Sequence, residues 1–152
     1  MRMLMRSGIG SGVVLLLVLA CAANAATSAE TLERFGFSGT FAFHCDEPAA
    51  PGNVRRSVSI SARGEVEFVE RFGDAYEPNV YEVLAARPLG SDAVVLDVRL
   101  GDNRQELTIR KSRGRVRTMG NRAADGTVRV KNGKVVDSGQ STPWLARCGE
   151  AQ

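Results

Sequence analysis

The chain has 152 residues, with 20 Lys+Arg against 17 Asp+Glu for a net charge of +3, 43% hydrophobic residues, one histidine and three cysteines. That is one domain's worth of sequence, with enough apolar content to bury a core unaided. The absence of internal repeats, low-complexity tracts and linkers excludes a solenoid or a disordered chain.

The first 25 residues have the makings of an export signal rather than of fold. Arg2 and Arg6 give a positive start, Val13 to Ala20 an apolar stretch, and Ala23-Asn24-Ala25 small residues where a signal peptidase cuts. Cleavage is expected after Ala25, leaving a single domain over 26–152 in the periplasm or secreted. The apolar run falls short of the roughly 20 residues that span a bilayer, and Gly8, Gly10 and Gly12 dilute its start. The alternative is a lipoprotein cut before Cys21, in a Val18-Leu19-Ala20-Cys21 setting, and only that route would place the protein on a membrane. Losing Arg2 and Arg6 while keeping all 17 acids lowers the net charge from +3 to +1.

Either route removes Cys21 and leaves Cys45 and Cys148 in an oxidising compartment, where an even pair is expected to form a disulfide. Its loop would enclose nearly the whole mature domain, for which loop entropy gives roughly 4 to 5 kcal/mol.

Ser28 to Arg34 predicts one or two helical turns, capped by Thr27 or Ser28 with Glu30 in the first turn. Thereafter the apolar period is two. Phe37, Gly39, Phe41, Phe43 and Cys45 share one face of a first strand. Val54, Arg56, Val58, Ile60 and Ala62 alternate with Arg55, Ser57, Ser59 and Ser61 in a second. Val66, Phe68 and Phe72 follow, then Tyr81, Val83 and Ala85 up to Pro88, which is expected to end its strand or mark an edge. Val94, Leu96, Val98 and Leu100 precede Leu107 and Ile109, and a Ser112-Arg113-Gly114 turn leads to Val116. Asp125-Gly126 and Asn132-Gly133 predict tight hairpins around Val128 and Val130. Eight to nine strands with turns between them predict an all-β fold, a small antiparallel up-and-down barrel with one disulfide; the alternative is a β-sandwich. Val58, Ile60, Phe68, Leu96, Val98 and Leu107 are expected to fill the interior, with Trp144 and Leu145 plugging its bottom.

The Phe43-His44-Cys45-Asp46-Glu47 stretch has the residue types of a reactive centre. In a strand, however, His44 and Cys45 point to opposite faces, no second histidine exists, and the disulfide would consume the thiol. No Gly-x-Ser-x-Gly elbow or singled-out carboxylate pair is present. The expectation is therefore a protein that is not an enzyme and needs no cofactor or metal. From Arg110 to Lys134 there are nine Lys/Arg and one acid, Asp125, whereas acids dominate from Glu65 to Asp102. Arg110, Lys111, Arg113, Arg115 and Arg117 form the candidate site for an anionic protein, lipid or envelope component. Nucleic acid is not expected, because the run lacks interleaved aromatics. Arg99, Arg110 or Arg117 could also pair across strands with Glu65, Glu67 or Glu106.

With Phe41, Cys45, the turn glycines and the closing Thr142-Pro143-Trp144-Leu145-Ala146-Arg147-Cys148, the chain resembles a group of small exported bacterial proteins having one cysteine in the first strand and another at the end. The resemblance implies no activity. In architecture the chain also resembles the periplasmic lysozyme inhibitors, small barrels with a terminal-strand disulfide, but their Ser-Ala-Ser-Gly-like inhibitory loop has no match here. The expected function is binding of a partner through the basic hairpin and barrel rim. The alternatives are a carrier of a small apolar ligand inside the barrel and a periplasmic inhibitor of a cell-wall hydrolase.

Overall fold

The computed structural model describes residues 26–149; the expected signal segment, the expected cleavage point after Ala25 and Cys21 lie outside the described residues. One helix, α1 (Ser28–Phe35), precedes ten strands. These are β1 (Gly39–Ala42), β2 (Arg55–Ile60), β3 (Val66–Arg71), β4 (Asn79–Leu89), β5 (Ala93–Leu100), β6 (Asn103–Ser112), β7 (Arg115–Ala123), β8 (Val128–Lys131), β9 (Lys134–Val135) and β10 (Leu145–Cys148). Strands β1 to β7 pair in sequence order, and β10 lies antiparallel between β1 and β7, closing an eight-stranded barrel. The β8–β9 hairpin continues from the far half of β7.

Alternation decides what the barrel encloses. Val58, Phe68, Val94, Leu96, Val98, Leu107, Ile109, Val116 and Leu145 form one buried cluster, with Ile60, Val83, Ala86 and Leu100 packed against it. Fully burying an aliphatic or phenyl side chain contributes about 1.5 to 3 kcal/mol. Phe37 lies at the centre, 5.4 Å from the Phe41 ring and 6.0 Å from that of Phe68.

Helix α1 forms through a capping box. The Glu30 amide donates to Thr27 Oγ1 at 3.2 Å, and the Thr27 amide donates to Glu30 Oε2 at 2.8 Å. Gly36, at φ 75°, ends it. The apolar face of α1, Ala29, Leu32 and Phe35, joins the barrel cluster, so the helix stops one end of the barrel. Ser28 Oγ accepts from the Ala86 amide at 3.1 Å, and Lys111 Nζ donates to Phe35 O at 2.6 Å. The expected plug of Trp144 with Leu145 is corrected accordingly. Leu145 is interior, but Trp144 precedes it on the opposite side of the strand and is half-exposed.

Two further expectations are corrected and one is met in part. β1 stops at Ala42, so Phe43 is 49% exposed and His44 leaves the strand. The cause is Asn53, which is buried. Its Oδ1 accepts from the His44 amide at 2.9 Å, while its Nδ2 donates to His44 O at 3.0 Å and Pro48 O at 3.0 Å, folding 43–53 into a compact loop. Pro88 does not end β4, since the strand runs on to Leu89 with Pro88 opposite Val94, but it does lie on an edge: β3 pairs with β4 only from Asn79 to Glu82, which leaves the Pro88 stretch paired with β5 alone. A bulge between Val83 and Ala85 reverses the parity, so that Ala86, not Ala85, packs inward.

The disulfide forms between Cys45 and Cys148, with the Cα atoms 5.3 Å apart. Cys148 pairs with Thr40, on the strand face opposite Phe41, so the bridge pins the 43–53 loop to the outside of the barrel rather than to its bottom.

Candidate functional site

The basic run lies on β6, β7 and the two-residue turn between them. Arg113 (φ 50°) and Gly114 (φ 73°) both adopt the left-handed conformation that such a turn needs. The turn is at the end stopped by α1, because Lys111 reaches the helix terminus and its amide donates to Asp92 O at 2.7 Å.

Inward Val116 sets the parity of β7, placing Arg115 and Arg117 on the outer face. Arg110 stands directly opposite Arg117, a like-charge pair that destabilises unless each cation finds a partner. Both do. Arg110 Nε lies 3.3 Å from Asp92 Oδ2. Arg117 donates to Thr142 Oγ1 at 3.0 Å and to Gly133 O at 2.5 Å, and its guanidinium lies 5.6 Å from the Trp144 ring centre. A Cβ on Gly133 would meet that guanidinium at 2.8 Å, so glycine there serves both the turn (φ 71°) and this close approach.

The five candidate residues therefore divide. Lys111 is a strut to α1, with its ammonium 5.2 Å from the Phe35 ring centre; Arg117 is a strut between β7, the β8–β9 turn and Trp144; Arg110 is ion-paired. Arg113 and Arg115 are exposed and have no ion-pair partner among the described residues. Together with Ser112 and Trp144 they line one shallow groove. Trp144 is the part of this site that sequence reading assigned elsewhere. The signal was present in the strand period: with Leu145 inside, its neighbour has to face out.

The cross-strand pairs form in other combinations than expected. Arg99 pairs with Glu82, Arg87 Nη2 with Glu106 Oε2 at 2.7 Å, and Arg56 Nη2 with Glu70 Oε1 at 2.6 Å. The last is buried, and Arg56 also donates to Thr118 Oγ1 at 3.0 Å and lies 5.2 Å from the Phe68 ring centre. In the Phe43–Glu47 stretch, His44 is exposed with its ring 4.5 Å from that of Phe43, and the Cys45 sulfur is in the disulfide. Arg55 donates to the carbonyls of Cys45 and Glu47, so its guanidinium serves the loop.

No known family model matches the chain, and no curated protein or solved structure matches it.

Proposed function

We propose that this is an exported, non-enzymatic barrel that captures an anionic partner through Arg113, Arg115 and Trp144. The observation that carries the reading is that these two guanidinium groups are exposed and unpaired among the described residues beside a half-exposed indole, while the neighbouring cations are held by Asp92, Phe35 O, Gly133 O and Thr142. Unpaired cations add long-range attraction, and an indole adds contact area at low entropic cost. The disulfide supports an oxidising location, in the periplasm or outside the cell. A dense interior of phenyl rings and aliphatic side chains, stopped by α1, favours the surface reading over a carried apolar ligand. Use of the Cys45 sulfur in the bridge favours binding over thiol chemistry.

The test is charge reversal. Arg113→Glu with Arg115→Glu should abolish retention on an anionic matrix and leave the melting temperature nearly unchanged, since neither side chain holds another part of the fold. Arg117→Glu should instead lower the melting temperature, because it severs the links to Gly133 and Thr142. Retention that survives the double reversal would refute the proposal.

A further inference from the structure

We infer that the anionic partner is a linear polyanionic polysaccharide lying along the outer face of β7. The inference rests on the binding role proposed for Arg113 and Arg115 and extends the site well beyond them. Past Arg117 the outer face of β7 does not end. A bulge beside Thr108 turns Met119 and Gly120, after which Leu107 pairs with Asn121 inside and Glu106 with Arg122 outside. A second groove opens there, with Arg122, Lys131 and Met119 in its lining, and Lys131 stands opposite Gly120 on β8.

The two grooves are joined by Arg117, which touches Trp144 in the first and the Asn132-Gly133 turn bordering the second. Cations thus recur along one line, with exposed Arg113, Arg115, Arg122 and Lys131 and the half-buried strut Arg117 between them. From Arg115 to Arg122 that line runs roughly 20 Å at the rise of a β-strand, enough to face several repeat units of an extended chain. The acids nearest to it are already occupied, Asp92 by Arg110 and Glu106 by Arg87. Arg122 and Lys131 have no ion pair among the described residues.

The rest of the face narrows the class of polymer. A single-stranded nucleic acid is held by successive aromatic platforms, and among the residues lining the two grooves Trp144 is the single aromatic side chain. A bilayer or a folded protein would be gripped by exposed apolar anchors. The large exposed apolar residues, Phe43, Tyr76, Val80, Leu84, Leu89 and Val136, all lie outside β6, β7 and β8. What remains is a row of cations flanked by the half-buried side chains of Met119, Val128 and Val130 but by no large exposed apolar anchor, complementary to regularly spaced carboxylates or sulfates on a sugar backbone.

The experiment titrates the oxidised protein with oligogalacturonates of increasing length, at low and moderate salt. Affinity should climb at least about tenfold from the dimer to the hexamer, and its salt dependence should steepen with length as more counterions are released. Arg122→Glu with Lys131→Glu should flatten the length dependence while leaving the dimer bound, whereas Arg113→Glu with Arg115→Glu should remove both. Short anions bound equally well at every length would refute the extended track and leave the hairpin site standing. Tighter binding to single-stranded DNA or to phosphatidylglycerol vesicles than to the hexamer would overturn the polysaccharide assignment. Binding of none of these anions would overturn the hairpin site itself.

Discussion

Tyr81 is buried at the inner wall of β4, stacked on Phe68 with ring centres 4.9 Å apart, and its hydroxyl donates to Glu70 Oε2 at 3.2 Å. The other oxygen of Glu70 accepts from Arg56, so phenol, carboxylate and guanidinium form one buried polar chain in a largely apolar interior. Burial raises the Tyr81 phenol well above its ordinary value near 10, and the charge of Glu70 pushes it the same way. Below that ordinary value the folded and unfolded chains both keep the proton, and this group gives stability no pH dependence. Above it only the unfolded chain ionises, which favours unfolding. Stability should therefore fall as pH rises past about 10, and Tyr81→Phe should make that decline shallower while costing about 1 kcal/mol at neutral pH through the lost hydrogen bond. Urea unfolding of both proteins across the alkaline range checks this, and parallel declines would refute it. Arg56 was legible only as the odd member of an apolar row. Its partner was not, because choosing Glu70 over other acids depends on which residues of β3 stand opposite β2.

Helix α1 has only eight residues, too few for stability alone, so its order comes from docking Ala29, Leu32 and Phe35 onto the barrel. Leu32→Ala should cost about 2 to 5 kcal/mol by opening a cavity in that contact. Thr27→Ala, which removes a cap at an exposed helix start, should cost about 1 kcal/mol. Chemical denaturation ranks the two, and a Leu32→Ala cost no larger than that of Thr27→Ala would show that α1 does not stop the barrel. The helix itself could be read from its cap, but not its role: a short amphipathic turn says that one face is covered and leaves open by what. Strands β2 and β6 were legible because each alternates against one interior, and β5 because Val94, Leu96, Val98 and Leu100 keep the period even though Val95 is buried on the other face. The parity of β4 was not, since a bulge inserts a residue without any glycine or proline to announce it. The end of β1 was hidden for a related reason, as Phe43 continues the period while Asn53, ten residues on, draws the chain away.

For the whole molecule, closure depends on a short last strand. Strand β10 has four residues, yet it pairs with β1 on one side and β7 on the other, follows directly on Trp144 beside the basic hairpin, and ends in Cys148. The disulfide spans a sequence separation of 103, for which chain entropy gives up to about 4 to 5 kcal/mol. Because the bridge lies outside the barrel, Cys45→Ser with Cys148→Ser should leave the interior packing intact and act by lowering stability. The sole tryptophan makes the consequence measurable. If β10 remains an integral wall without the bridge, its fluorescence transition in urea should coincide with loss of far-UV circular dichroism, both at a lower midpoint than in the oxidised protein. A tryptophan transition well ahead of the dichroism would mean that the covalent bond, rather than the two ladders, holds β10 in place. The groove lined by Trp144, Arg113 and Arg115 would then exist only in the oxidised protein, and anion retention should disappear with the early transition.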